Sequence, residues 1–118
     1  MKTRVFFAAL AMLGLVGACA QPQPVNMTQA VKSARTSADH IALAKRYEEA
    51  ASQMQAKVQE HKNELKEYEY HSEHYGRRAQ DLQAHCRGLI RYYEQAAEAN
   101  REMAEIHRQI AGEARQYR

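Results

Sequence analysis

Two long runs of residues, each spaced alternately by three and four positions, dominate this sequence. The first run contains Ala44, Tyr47, Ala51, Met54, Val58, His61, Leu65 and Tyr68. The second run contains Leu82, Cys86, Leu89, Tyr93, Ala96, Asn100, Met103, His107, Ile110 and Ala114. This spacing places the members of a run on one face of an α-helix. The sequence therefore predicts an all-α protein with two long amphipathic helices and no strand.

Gly76 is the only glycine between the two runs, in Ser72-Glu73-His74-Tyr75-Gly76-Arg77-Arg78. Glycine adopts the left-handed conformation that ends helices, so we expect the chain to turn back here. The prediction is an antiparallel coiled-coil hairpin over residues 37–118, with helices at about 37–74 and 78–111 and Gly112 closing the second. A single continuous rod through Gly76 is the alternative, because one glycine costs a helix only about 1 kcal/mol.

The first helix is predicted to begin in Thr36-Ser37-Ala38-Asp39. A Ser or Thr hydroxyl accepts a hydrogen bond from a free N–H group of the first turn, and an acid there faces the positive end of the helix dipole.

Two registers satisfy the heptads. A turn centred near Arg77 pairs His61 with Tyr93, Tyr47 with His107 and Tyr68 with Cys86, and it places large residues against small ones. The same register pairs Ala51 with Met103, Val58 with Ala96 and Leu65 with Leu89. A register one heptad shorter places His61 against Cys86. We favour the first register because it packs better.

The N-terminal residues have the order of an export signal. Lys2 and Arg4 precede an apolar run from Val5 to Val16, and small residues follow. A basic start, a short apolar run and small residues before a cleavage point are typical of a secretory signal peptide, here residues 1–18. The run is too short to span a bilayer.

The four residues Val16-Gly17-Ala18-Cys19 resemble the lipobox of bacterial lipoproteins. This resemblance implies cleavage before Cys19 and attachment of a diacylglyceryl group to its thiol, which would anchor the protein in a membrane. In that family an Asp after the Cys favours the inner membrane. Ala20 occupies this position, so the resemblance points to the periplasmic face of the outer membrane rather than the inner.

Residues 19–36 are predicted to be the lipidated Cys and a flexible linker, since they are rich in Gln, Pro, Asn, Thr and Ser. A hairpin that follows this linker has both of its ends near the lipid, and its turn at Gly76 farthest away.

The predicted hairpin carries more apolar residues than two helices can cover. The additional ones are Ile41, Leu43, Ala50, Ile90, Tyr92, Ala97, Ala104, Ile106 and Ala111. A widened apolar face favours contact with a further helix. We expect a homodimer that forms a four-helix bundle, or a periplasmic helical partner.

Composition excludes other classes of function. The net charge is +3, but removal of the signal peptide takes away Lys2 and Arg4 and leaves a nearly neutral chain. Mixed charges without basic, aromatic-containing stretches do not favour nucleic-acid binding. No nucleophile motif or phosphate-binding loop is present, and a thin hairpin offers no enclosed pocket. We expect no enzymatic activity.

Two groups of side chains are candidate metal ligands. Glu67, His71 and His74 would share one helical face and could bind zinc, nickel or copper. His61, His85 and Cys86 would come together in the shorter register. A periplasmic metal-binding or metal-sensing role is therefore the alternative to a structural role; without it no cofactor is expected.

Three polar residues, one of them the candidate ligand Cys86, also have a structural interpretation. Cys86 is either a small buried residue or, because Cys19 carries lipid, a partner for an intermolecular disulfide. His40 and His107 lie near the open end of the hairpin, where polar residues in a heptad commonly fix register.

Residues 38–111 also resemble the small, His-bearing helical-hairpin lipoproteins of many proteobacteria, a resemblance that implies no particular activity. It rests on His40-Ile41-Ala42-Leu43-Ala44-Lys45-Arg46-Tyr47, His85-Cys86-Arg87-Gly88-Leu89 and Ala104-Glu105-Ile106-His107-Arg108. The major murein lipoprotein is also a lipidated heptad helix, but it ends in a Lys joined to peptidoglycan. The sequence here ends in Gln116-Tyr117-Arg118, so covalent attachment to the wall is not expected.

Overall fold

A computed structural model describes residues 26–116 of the chain. Helix α1 spans Met27–Ser33, α2 spans Ser37–Tyr70 and α3 spans Ala79–Gln116, with short 3₁₀ turns at Ser72–His74 and Gly76–Arg78 between α2 and α3. Helices α2 and α3 pack along each other as an extended antiparallel hairpin. Residues 26–116 contain no strand. The predicted all-α hairpin is confirmed, whereas the signal peptide and Cys19 lie outside the described residues.

Helix α2 begins where the sequence predicts. The Thr36 hydroxyl accepts a hydrogen bond from the Asp39 N–H at 3.1 Å. The Asp39 carboxylate accepts hydrogen bonds in return from the N–H groups of Thr36 at 2.8 Å and Arg35 at 2.9 Å. These bonds, that from Arg35 first, hold the pKa of Asp39 below its usual value. This reciprocal capping box fixes the first turn of α2.

Helix α1 lies inside the segment predicted as a flexible linker and was not expected. The Asn26 side chain caps it by accepting a hydrogen bond from the Gln29 N–H at 3.1 Å. Seven residues are too few to form a stable helix alone. The adjoining Ala34 is buried, as is Leu43 of α2, which indicates that this end of the linker packs on the hairpin.

The turn is longer than predicted on the α2 side. Helix α2 ends at Tyr70, and His71 leaves the helical region with φ −122° and ψ 38°. Gly76 has φ +56°, the left-handed conformation predicted for it. Gly112 does not end α3, which continues to Gln116. The reason is local packing: Ala111 is buried, and its carbonyl accepts a hydrogen bond from the Ser37 hydroxyl at 2.9 Å.

Small side chains fill the centre of the hairpin. We name these residues the alanine column: Ala44, Ala51 and Val58 in α2, and Ile90, Ala97, Ala104 and Ala111 in α3, all buried. Small residues at a contact let two helices approach closely. The Gln83 side chain accordingly reaches the Tyr68 carbonyl of the opposite helix at 2.9 Å. Backbone proximity, rather than bulky apolar layers, joins α2 to α3.

Larger and more polar side chains lie beside the alanine column. This polar column consists of His40, Tyr47, His61 and Tyr68 in α2, and Cys86, Tyr93, Asn100 and His107 in α3. Asn100 donates its amide to the Ala96 carbonyl of its own helix at 2.8 Å, and the rings stack across the interface. In residues 26–116 every buried side-chain nitrogen or oxygen has a hydrogen-bond partner.

The register lies halfway between the two predicted ones. The His107 ring stacks on both His40, at 5.2 Å between centroids, and Tyr47, at 5.5 Å. His61 likewise stacks on Tyr93 at 5.5 Å, while its carbonyl accepts a hydrogen bond from the Cys86 thiol at 3.1 Å. Side chains of packed helices insert between two residues of the partner rather than facing one. Each predicted register therefore contained real contacts.

The predicted face of α3 is wrong at four of its ten positions. Cys86, Tyr93, Asn100 and His107 face α2 as expected, but the alternating positions shift by one residue, from Leu89, Ala96, Met103 and Ile110 to Ile90, Ala97, Ala104 and Ala111. Leu89 and Met103 are instead 41% and 38% exposed. The smaller residues face α2 because the alanines of α2 allow the two helices to lie close together, and at this separation larger side chains of α3 would not fit between them.

Candidate functional site

Because the face of α3 that packs against α2 differs from the predicted one, a second apolar face of α3 is left uncovered. We name it the outer stripe: the exposed Leu89, Tyr92, Ala99, Met103 and Ile106 together with the half-buried Ala96 and Ile110, again spaced by three and four. Tyr92 is 63% exposed and Ile106 is 48% exposed. Its far edge carries Arg91, Gln95, Glu98, Glu102 and Glu105, all exposed. A polar-edged apolar stripe of this kind marks an interaction surface.

Helix α2 has no comparable free face. Its buried residues face either α3 or the segment that contains α1. Four ion pairs or hydrogen bonds join its edge to α3 on the side opposite the outer stripe: Lys62–Glu94, Arg87–Glu69, Arg101–Gln55 and Arg108–Glu48. Exposed pairs contribute little stability individually. They do give that side of the hairpin a polar surface.

A cluster of three potential ligands lies near the turn end of the polar column. His61 Nδ1 and Glu64 Oε2 are 2.8 Å apart, and Cys86 Sγ lies 3.9 Å from the same carboxylate oxygen. One ligand atom from each residue lies within 4.8 Å of the others. Helical spacing of three aligns His61 with Glu64, and the hairpin brings Cys86 to them from α3. Nitrogen, oxygen and sulfur thus converge on one point.

The membership of this cluster differs from the prediction. His61 and Cys86 belong to it, but His85 is exposed and lies in neither ligand cluster of residues 26–116. Glu64 replaces it and was missed. The signal was present in the sequence, because Glu64 follows His61 by three positions on the same helical face.

The Cys86 thiol is buried and carries no disulfide. Burial, and then the negative charge and hydrogen bond of Glu64, raise its pKa. The residue is therefore a thiol at neutral pH, hydrogen-bonded to the opposite helix. An intermolecular disulfide would require α2 and α3 to separate locally, which the structure does not favour.

The other predicted cluster, that of Glu67, His71 and His74, lies at the turn. His71 and His74 come together as predicted, with stacked rings at 5.4 Å between centroids. Glu67 is not with them: the third member is Glu73, with its carboxylate 3.5 Å from His71 and 3.8 Å from His74. The correction follows from the early end of α2, since His71 leaves the helical face that Glu67 occupies. All three side chains are exposed, so this cluster is open to water on most sides.

His40 and His107 meet at the open end of the hairpin, with 3.0 Å between their Nδ1 atoms. One ring nitrogen donates and the other accepts, so the pair binds at most one proton without losing this bond. Burial first, and then His40, lower the pKa of His107. The pair fixes register, as polar heptad residues commonly do.

Comparisons of this chain with protein-family models, with curated proteins and with solved structures found no match. Within residues 26–116, none of the helices contains an apolar stretch of the length needed to span a bilayer.

Proposed function

We propose that this chain is a lipid-anchored structural lipoprotein of the periplasmic face of the outer membrane, which associates with a second copy through the outer stripe of α3. The anchor is the acylated Cys19 predicted from Val16-Gly17-Ala18-Cys19. The observation that carries the association is the uncovered heptad stripe. Covering exposed apolar area releases about 25 cal/mol per Å², and a second identical stripe supplies a matching surface.

The residues of the outer stripe favour an antiparallel pair of α3 helices. In that arrangement Leu89 lies against Ile106 of the second copy, Tyr92 against Met103, and Ala96 against Ala99. The centre is then small and both ends are large, so the two helices can approach closely around the symmetry axis.

Charges along the stripe edge favour the same orientation. An antiparallel pair places Arg91 beside Glu105 of the second copy, twice by symmetry, and Gln95 beside Glu102. The same pairing places Glu98 against itself once, on the symmetry axis, which offsets part of this gain, whereas a parallel pair would turn this edge away from its counterpart and lose both Arg91–Glu105 contacts. Arg91 and Glu102 take part in no ion pair within the described part of the chain.

An antiparallel pair also has a preferred orientation on a membrane. The start of α2 and the end of α3 meet beside Ser37, where Arg115 donates to the Ser37 hydroxyl at 3.2 Å, and the turn lies about 50 Å away along α2. The anchor of one copy therefore lies beside the turn of the other. Two anchored copies would lie along the membrane surface, whereas a single copy would point its turn away from it.

Disulfide trapping in membranes tests this proposal. Two differently tagged full chains, one with Ala96→Cys and one with Ala99→Cys, are expressed together and oxidised. The expected result is a mixed disulfide between the two tags, because these positions face each other only in an antiparallel pair. Addition of Ile106→Glu to both chains should abolish it by burying a charge.

The matched control is Ala56→Cys, an exposed alanine on the outer side of α2, which should not cross-link. Cross-linking mainly between identical single variants would show a parallel pair instead. If the stripe variants cross-link no better than Ala56→Cys, the chain does not self-associate through α3, and the stripe would then serve a different helical protein.

A further inference from the structure

We propose that His61, Glu64 and Cys86 form a binding site for one Zn²⁺ ion, a function independent of self-association. The structure brings an imidazole, a carboxylate and a thiol from two helices to one place. This donor set suits zinc, copper or nickel and excludes calcium and magnesium, which take oxygen ligands. Zinc fits best, because it accepts three mixed protein ligands and a water molecule in a tetrahedron.

The observed distances are near those of a metal site. A tetrahedral Zn²⁺ with ordinary bond lengths keeps its nitrogen and oxygen ligands about 3.3 Å apart and its sulfur and oxygen ligands about 3.5 Å apart. The corresponding distances here are 2.8 Å between His61 Nδ1 and Glu64 Oε2, and 3.9 Å between Cys86 Sγ and that oxygen. Side-chain shifts of about half an ångström would bring these two distances to tetrahedral values, and the His61 nitrogen and Cys86 sulfur lie within 4.8 Å of each other.

Burial divides the site into a closed and an open side. Cys86 is only 3% exposed, so its sulfur forms the floor. The side chains of His61 and Glu64 are 13% and 42% exposed, so an ion can enter past Glu64. The Tyr93 ring stacks on His61 and limits its rotation. A fixed floor with one open side is the arrangement that leaves the fourth position to water.

Binding is balanced by loss of one proton. The Cys86 S–H bond breaks, the sulfur forms a bond to zinc, and the proton goes to solvent. The hydrogen bonds from the thiol to the His61 carbonyl and from His61 to Glu64 are replaced by metal bonds. Because ligands come from both α2 and α3, the ion would also join the two helices near their turn.

Cobalt(II) is the probe, since it takes the place of zinc and absorbs light in a way that reports a bound thiolate. The full chain purified in detergent is titrated with Co²⁺. The expected result is one equivalent bound, with a sulfur-to-cobalt charge-transfer band that Zn²⁺ abolishes by displacement. Cys86→Ser should eliminate the band, and Glu64→Gln should weaken Co²⁺ binding at least 10-fold, as losses within metal sites typically do.

Glu67→Gln and His85→Gln are matched controls, because each changes the same residue type nearby but outside the cluster. Both should leave affinity and spectrum unchanged. Far-ultraviolet circular dichroism verifies that every variant remains helical. Absence of the band, its survival in Cys86→Ser, or equal loss on Glu67→Gln would overturn the site, and a loss confined to His71→Gln or His74→Gln would move binding to the turn. None of these outcomes affects the disulfide-trapping test of self-association.

Discussion

Helices α2 and α3 differ in how much of their apolar surface the hairpin covers. Helix α2 has 34 residues and α3 has 38, and both carry heptads with charged residues between them. The heptad residues of α2 face α3. Helix α3 carries two apolar stripes offset by one position, and packing against α2 covers only one of them. The difference shows that pairing alone satisfies α2 but leaves α3 with a surface for another helix.

The largest expected effect separates the two faces of α3 at neighbouring residues. Ile90 is 9% exposed and Leu89 is 41% exposed. We expect Ile90→Ala to lower the free energy of unfolding by about 2–5 kcal/mol, because it leaves a cavity against α2. Leu89→Ala should cost less than about 1 kcal/mol in the monomer, since much of its side chain already contacts water.

Urea unfolding followed by circular dichroism measures both variants, at a dilution where the chains are monomeric. Equal losses for Ile90→Ala and Leu89→Ala would mean that α3 does not pack against α2 through the face described. That outcome would support the face of α3 predicted from the sequence over the one seen in the structure.

A smaller effect comes from enlarging an alanine on each face. Ala97 is fully buried in the alanine column, so Ala97→Leu would force the helices apart and cost about 1–3 kcal/mol. Ala99 lies two residues further on the exposed stripe, and Ala99→Leu should leave monomer stability nearly unchanged. Thermal unfolding of the two variants compares them directly, and a destabilised Ala99→Leu with a normal Ala97→Leu would reverse the assignment of the faces.

The smallest effect concerns pH and the His40–His107 pair. The pKa of His107 is depressed in the fold, so the unfolded chain binds a proton more readily. Stability should therefore fall as the pH is lowered through the ordinary histidine value of 6.5, by at most about 1.4 kcal/mol per pH unit for this one proton.

Unfolding midpoints measured from pH 8 to 5 test this effect. His107→Gln removes the titrating group and should flatten the dependence in this window, while His85→Gln, on the exposed side of α3, should not. An unchanged slope in His107→Gln would show that other groups cause the acid sensitivity.

Much of the candidate cluster could be predicted from sequence, though not its full membership. His61 and Cys86 were identified because both occupy heptad positions near the turn. Glu64 was missed because it lies beside the heptad, and an acid there is common on any solvated helix. The exchange of Glu67 for Glu73 at the turn depended on where α2 stops, and one residue of shift at a helix end moves a side chain by about 100°.

The sequence alone determined the two helices, the Thr36 cap and the left-handed turn at Gly76, because each depends on local spacing and backbone preference. Tertiary structure decided the face of α3. Two faces of α3, offset by one residue, fit the heptad spacing equally well. One face passes through Leu89 and Met103, and the other passes through Ile90 and Ala104. Close approach of α2 selects the smaller set, since steric fit across an interface involves both helices at once. That selection leaves the outer stripe exposed, while the pairing of α2 and α3 between the two predicted registers places Cys86 beside His61.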